Sequence, residues 1–260
     1  MSSKRISLPG SSGHYVSTPD ADEFDITGDI DLRVRLKMTD WTPSSAETIL
    51  SKYNTSGNQR SYEFLILSTG APRIQWSEDG STFTSLSSSA VTGFTNGTTH
   101  WIRATLDVDN GSSQHVATFY TSSDGETWTT LDTKTSAGTT SINAGTADLI
   151  VGARNDGSAN NLDGEVYQAE MYDGIDGTRV AVLQARKFGN GKSDGATAQD
   201  LDGNLWTING SNSVVLPSAV SYYGKTPWDQ ATVPDRRRKK KRLTALLKED
   251  HVNRDRNKAI

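Results

Sequence analysis

The sequence predicts an all-β protein, an antiparallel two-sheet sandwich, followed by a basic and partly helical C-terminal arm. Three observations predict it. Apolar residues come in runs of four to eight separated by Gly, Asn, Asp, Ser and Thr, the spacing of short strands joined by tight turns. Several runs alternate strictly between apolar and polar side chains, as strands do when one face lies on a core and the other on water. No helix-length periodic segment occurs before residue 219.

Residues 6–9 and 14–17 are expected to form a short opening hairpin or edge strand, because Pro9 and the Gly-Ser turn would interrupt a central one. The clearest strand follows. Ile30, Leu32, Val34, Leu36 and Met38 share one face of it, and Asp31, Arg33, Arg35 and Lys37 the other. A loop at residues 41–45 leads to a strand at 48–53 and a polar turn. Residues 62–67 are apolar on both faces except Glu63, which predicts a central strand covered on both sides. Residues 73–76 then enter an Asp-Gly hairpin, and residues 83–91 carry the chain onward.

The stretch at 100–131 reads as two strand-turn-strand units in succession. Ile102, Ala104, Leu106 and Val108 fall on one face, and Arg103, Thr105 and Asp107 on the other. Asp109-Asn110-Gly111 reverses the chain into residues 115–120, and Asp124-Gly125 reverses it again. Residues 77–86 echo residues 122–131 at six of ten places, with an aromatic, Phe83 or Trp128, at the seventh. In each copy the Asp is expected to cap the turn, Gly to take the left-handed conformation, and the aromatic to cover the hairpin base. This pattern is a strong hairpin signal and a weak chemical one.

After Leu131 a Ser/Thr/Gly-rich connection is expected as far as Gly145. A strand at 147–154, a polar rim loop at 155–164 and a strand at 165–172 follow, the last placing Tyr167, Ala169 and Met171 opposite Gln168 and Glu170. Residues 179–185, 205–208 and 214–217 close the sandwich. The division is therefore a sandwich over residues 1–218, a linker over 219–234 and the arm over 235–260.

With no cysteine in the chain, disulfides and thiolate metal sites are excluded. His14, His100, His115 and His251 lack zinc-pair spacing and read as surface or packing residues. Trp76, Trp101, Trp128 and Trp206 read as core or hairpin covers. Trp41 and Trp228, in Pro-containing segments, are candidate interface anchors. The opening residues lack a signal-peptide core, and no run approaches membrane-spanning length. The expectation is a protein made and kept in a cytosol, or one that leaves by lysis or within a particle, without membrane insertion. A formal net charge of −4 conceals an asymmetry, +7 over residues 235–260 and −11 over the rest, so the two parts differ in partners or attract one another.

Three segments carry a family resemblance: the amphipathic strand at 30–38, the stretch from His100 to Trp128 with its FYTSSDGETW hairpin, and LIVGARNDGSANNLDGEVYQAEMYDG. From about Ile6 to Pro217 the chain resembles the concanavalin A-like lectin/glucanase superfamily in its laminin-G-like jelly-roll form. The continuations DGTRVAVLQARKF and DLDGNLWTINGSNSVV are similar to laminin-G-like modules in minor structural (tail) proteins of tailed bacteriophages. The resemblance implies a jelly roll and identifies architecture better than ligand.

Glucanases of that superfamily carry Glu-x-Asp-x-x-Glu on one strand. Here Tyr167 stands at the middle position between Glu165 and Glu170, and residues five apart are expected on opposite faces of a regular strand. The chain is therefore read as not an enzyme. Glycan binding needs an aromatic platform and polar groups for hydroxyls, and Arg154, Asn155, Asp156, Asn160, Asn161 and Asp163 supply such a polar set. Some laminin-G-like modules hold Ca²⁺ at this rim, and on that resemblance Asp156 and Asp163 are the candidates, with no other cofactor implied. An ordinary Asn/Asp/Gly turn has the same composition.

Asp235, just after Pro234, is placed to cap a helix to about Lys248, with Leu243, Leu246 and Leu247 on one face. Arg236, Arg237, Arg238, Lys239, Lys240, Lys241 and Arg242 would crowd its positive end, so an anionic partner is expected unless the tail is simply solvated. The candidate partners are other virion structural proteins, a host-surface glycan and, through the arm, nucleic acid. The expected function is a non-catalytic virion component, a phage minor tail or decoration protein assembled in the host cytoplasm, anchored by its arm. The alternative is a free lectin or glycan-degrading enzyme.

Overall fold

The alternating residues Ile30, Leu32, Val34, Leu36 and Met38 are all 0% exposed, and around them a computed structural model places two antiparallel sheets face to face. It describes residues 4–211 and 213–217. The linker and arm expected at 219–234 and 235–260, Trp228 and His251 included, lie outside the described residues. In chain order the strands are β1 Arg5–Pro9, β2 Tyr15–Thr18, β3 Ile30–Met38, β4 Glu47–Asn54, β5 Gln59–Ile66, β6 Pro72–Trp76, β7 Thr84–Ser87 and β8 Thr99–Asp107. There follow β9 Gln114–Ser122, β10 Thr129–Ala137, β11 Leu149–Val151, β12 Asp163–Asp173, β13 Thr178–Gln184, β14 Thr197–Gln199, β15 Leu205–Asn209 and β16 Val214–Leu216.

The first sheet runs β10-β9-β8-β3-β12-β1-β16, with β13 also on β12, and the second runs β14-β15-β2-β11-β4-β5-β6-β7. This is the antiparallel two-sheet sandwich that the alternation predicts, in the jelly-roll form that the resemblance implies. Leu32, Val34, Ile102, Phe119, Val166 and Met171 of the first sheet meet Leu50, Tyr62, Phe64, Trp76, Val151 and Trp206 of the second in one buried core. Each such side chain removed from water contributes about 1.5–3 kcal/mol. Tyr62, read correctly as part of a doubly covered strand, donates its hydroxyl to the Phe24 carbonyl at 3.2 Å and reaches Met171 Sδ at 3.0 Å, tying the layers together.

Several elements depart from the sequence reading. β1 and β2 do not pair with each other. β1 lies between β12 and β16 and β2 between β11 and β15, because left-handed Gly10 and Gly13 (φ +68° and +82°) let the chain step from one sheet to the other. Residues 132–137, expected as a connection, belong to β10. This is an edge strand whose side chains are exposed or half-buried, so it shows no apolar alternation; pairing with β9 defines it. Its bulge between Thr130 and Asp132 further breaks the period.

The echoed hairpins are capped as expected. Asp79 Oδ1 accepts from the Ser81 and Thr82 amides, and Asp124 Oδ1 from the Glu126 and Thr127 amides, all at 2.8 Å. Only the second aromatic covers its turn region: Trp128 meets Trp101 edge-on at 6.3 Å, whereas Phe83 is 56% exposed. Trp41, expected as an interface anchor, is buried, donating its amide to Asn96 Oδ1 and its Nε1 to the Thr98 carbonyl.

The outer face of the first sheet is not simply wet. Asp31, Arg103 and Thr105 are buried there, since Asp31 accepts forked hydrogen bonds from both Arg33 and Arg103, and Tyr120, Tyr172 and Trp128 lie against the guanidinium groups. Removing one partner of a buried ion pair leaves the other charge uncompensated. Asp31→Ala should therefore cost about 3 kcal/mol, read as a lower urea midpoint at unchanged slope.

Candidate functional site

The rim loop between β11 and β12 spends its polar side chains on its own construction. Asn155, Asp156 and Asn160 take left-handed φ of 51°, 52° and 52°, a conformation that Asn and Asp tolerate better than most residues. Asn155 Oδ1 accepts from the Thr55 amide, Asp156 from Asn54 Nδ2, and Asn161 donates to the Gly157 carbonyl. Asp163 accepts from Thr39 Oγ1 at 3.0 Å. Arg154 lies over Tyr53 and reaches Glu63 at 3.3 Å, and Asn160 Nδ2 meets the same carboxylate at 3.4 Å.

Glu63 is thus the hidden centre of the loop's attachment. Burial raises its pKa above the ordinary carboxylate range, against the opposing pull of Arg154 and the hydrogen bonds from Thr48, Asn160 and Arg154. Asp156 and Asp163 are separately engaged, and among the described residues no three His, Cys, Asp or Glu side chains gather as an ion-holding group. The donor set therefore does not fit the Ca²⁺ implied by the resemblance.

A cleft of about 400 Å³ lies elsewhere, at the second echoed hairpin, lined by Phe94, His100, Thr121, Ser122, Ser123, Asp124, Thr127 and Thr129. The connection from β7 to β8 brings in Phe94, β8 brings His100, and the end of β9, its turn and the start of β10 bring the rest. Phe94 and His100 stack with centroids 3.6 Å apart and planes 2° from parallel, and Trp41 meets Phe94 edge-on at 4.8 Å. Thr98 Oγ1 lies 2.9 Å from His100 Nε2. Burial lowers the His100 pKa, which keeps the ring neutral at neutral pH.

Asp124 is the cleft's carboxylate. Hydrogen bonds from the Thr127 and Glu126 amides and from Ser122 lower its pKa to about 2, so it is ionised and accepting at any physiological pH. The hydroxyls of Thr121, Ser123 and Thr129 bond to no partner among the described residues. The arrangement offers an aromatic wall, several uncommitted hydroxyls and one fixed anion, a set suited to a polyhydroxylated ligand. The sequence marked this turn only as a hairpin. Its density of Ser and Thr around Asp124 was the available signal, and Phe94, some thirty residues upstream, had none.

The carboxylates compared with the glucanase pattern sit differently from the sequence reading. A bulge between Val166 and Gln168 turns Tyr167 outward and leaves Val166, Ala169 and Met171 buried. Glu165 opposite Lys37 and Glu170 opposite Arg33 consequently share the outer face rather than opposing faces. Glu165 is an ion-pair partner there. Burial would raise its pKa, but hydrogen bonds from Lys37, Tyr167 and Arg5 outweigh this and hold it low. Glu170 accepts from the Tyr172 hydroxyl at 2.8 Å.

No protein-family model matches the chain, and no curated protein does. Among solved structures, the CBM40 domain of the Ruminococcus gnavus IT-sialidase bound to alpha2,3 sialyllactose is similar at 16% identity, covering 66% of this chain and 92% of that one, with a TM-score of 0.47. A native heptameric SAP-like pentraxin from Limulus polyphemus is similar at 15% identity, with 66% and 77% coverage and a TM-score of 0.44. The enzymatically active domain of Bacteriophage CBA120 tailspike protein 2 is similar at 14% identity, with 60% and 23% coverage and a TM-score of 0.37. At these values the likeness concerns the sandwich alone and carries neither ligand nor activity across.

Beside the rim loop, Glu47 accepts from the Asp163 amide at 3.1 Å. Burial pushes its pKa up to about 7; the bond from the Asp163 amide opposes this, and the Asp163 and Asp40 carboxylates add to it. A carboxyl with a raised folded pKa stays protonated in the fold after the unfolded chain has released its proton, so folding stability drops as pH rises through the interval between the two values. Stability should fall between about pH 5 and 7 and then level off. In Glu47→Gln this decline should be shallower, as measured by urea midpoints across that range.

Proposed function

We propose that the sandwich is a non-catalytic glycan-binding module of a virion structural protein, a minor tail or decoration component of a tailed phage. The cleft carries the glycan part of this reading. A sugar presents hydroxyls around its rim and an apolar face of C–H groups, and binds where uncommitted polar groups and an aromatic surface lie together. Thr121, Ser123, Thr129 and ionised Asp124 supply the former, and Phe94 the latter. Binding rather than hydrolysis is supported by the cleft's having a single lining carboxylate, held at a pKa of about 2. Glycoside hydrolysis uses two carboxyl groups, one of them kept protonated as an acid.

The particle part rests on the sequence resemblance to phage laminin-G-like modules and on the charge of +7 in residues 235–260, suited to an acidic neighbour in an assembly. A free lectin or glycan-degrading enzyme is the competing reading, and release of reducing sugar by the purified chain would favour it. A glycan array on the purified chain should identify a bound host-surface saccharide. Phe94→Ala should then weaken that binding roughly tenfold, the worth of an aromatic contact, and Thr129→Val a few-fold. A silent array, or unchanged affinity in Phe94→Ala, rejects the cleft. Chains ending before Asp235 should fold yet be missing from purified particles by mass spectrometry. Normal incorporation would reject the arm as the anchor.

A further inference from the structure

On the outer face of the first sheet, two arginines share two carboxylates of very different standing. Asp31 is 0% exposed and accepts from Arg33 Nε and Nη2 at 3.2 and 2.6 Å and from Arg103 Nε and Nη2 at 2.9 and 2.7 Å. The side chain of Asp176 is 67% exposed, yet its Oδ1 accepts from the Nη2 atoms of both arginines, at 2.9 Å from Arg103. The arginine side chains themselves are only 13% and 6% exposed. Both Nη1 groups have no partner among the described residues, and aromatic rings stand around them, Tyr172 at 4.2 Å from Arg33, Tyr120 at 4.8 Å from Arg103 and Trp128 within 5.9 Å of each.

One buried carboxylate cannot balance two buried guanidinium groups. The second balancing charge comes from a side chain on the β12–β13 turn that is open to water and can leave. That turn is shaped to deliver it. Asp176 takes a left-handed φ of 53° and Gly174 one of 83°, and a Cβ on Gly177 would lie 2.0 Å from the Asp173 carbonyl oxygen. If Asp176 swings away, the two Nη2 edges remain as a fork that matches a planar carboxylate, and the surrounding rings would take the apolar face of the group that bears it.

We propose that Arg33 and Arg103 form a receptor for the carboxylate of an acidic sugar, a uronic acid unit, with Asp176 as the resident carboxylate that the ligand displaces. The exchange conserves charge, because one carboxylate replaces another on the same pair of donors. The site uses none of the cleft's lining residues, so it stands or falls separately from the reading above.

Calorimetric titration at low salt with tri-galacturonic acid, and with its methyl ester as the uncharged control, tests this. Removing the resident competitor should raise the competent fraction, so Asp176→Ala should bind the acid roughly tenfold tighter than the unaltered chain. The methyl ester should bind neither. Arg33→Gln added to Asp176→Ala, with folding checked by thermal melt, should abolish the gain, and Phe94→Ala should leave it untouched. Unchanged or weaker binding in Asp176→Ala overturns the proposal, as does equal binding of the methyl ester, loss of acid binding in Phe94→Ala, or no binding of the acid by either chain at millimolar concentration.

Discussion

The structure depends on the pairing of β3 between β8 and β12. Ile30 to Lys37 run opposite Leu106 to Thr99, and the other edge of β3 meets β12 from Met38 to Ile30. A one-residue slip in either ladder would exchange the faces, placing Arg33 and Arg35 in the core and Leu32 and Val34 in water. The hydrophobic side alone forbids that slip. The outer side adds a second constraint, since Asp31 meets Arg103 from the neighbouring strand only in the native register.

Carboxylates do most of the polar organising, and their surroundings decide how. Asp79 and Asp124 cap exposed turns through backbone amides, which lowers their pKa values. Glu63 and Glu47 are buried, and desolvation raises theirs. Asp20 and Asp25 receive the fully buried Lys52, whose ammonium also donates to the Gly145 and Ala147 carbonyls, fastening the segments at 20–25 and 145–147 to β4. A buried ammonium is tolerable only when its donors are satisfied in this way.

Elements with a regular apolar pattern were legible in the sequence. β3 and β8 follow from period two, β5 from a run apolar on both faces, and the echoed turns from Asp-Gly chemistry. What was not legible depends on partners far along the chain. β10 is polar on an edge and is defined by β9; β1 and β2 diverge because each finds its neighbours in a different sheet. The bulge at Tyr167 arises from pairing with β3 and reverses which residues share the face of Glu165, a difference that strict alternation cannot reveal. Of the site chemistry, the composition of the rim loop was visible, but not its partners: Arg154 and Asn160 reach Glu63, Asn155 and Asp156 bond to Thr55 and Asn54, and Asp163 bonds to Thr39. The cleft joins Phe94 and His100 to the turn at Asp124, a union made by tertiary packing.

β1 lies against β16, with Arg5 opposite Leu216 and Arg5 Nη1 donating to the Pro217 carbonyl at 2.9 Å. The two ends of the described body therefore exit side by side. A module of this kind can be spliced into a loop of a host protein as a self-contained cartridge, since host residues a few ångströms apart can accept both ends without being pried open. The same closeness suits it to circular permutation, with a short bridge across the old ends and new ones opened in an exposed turn.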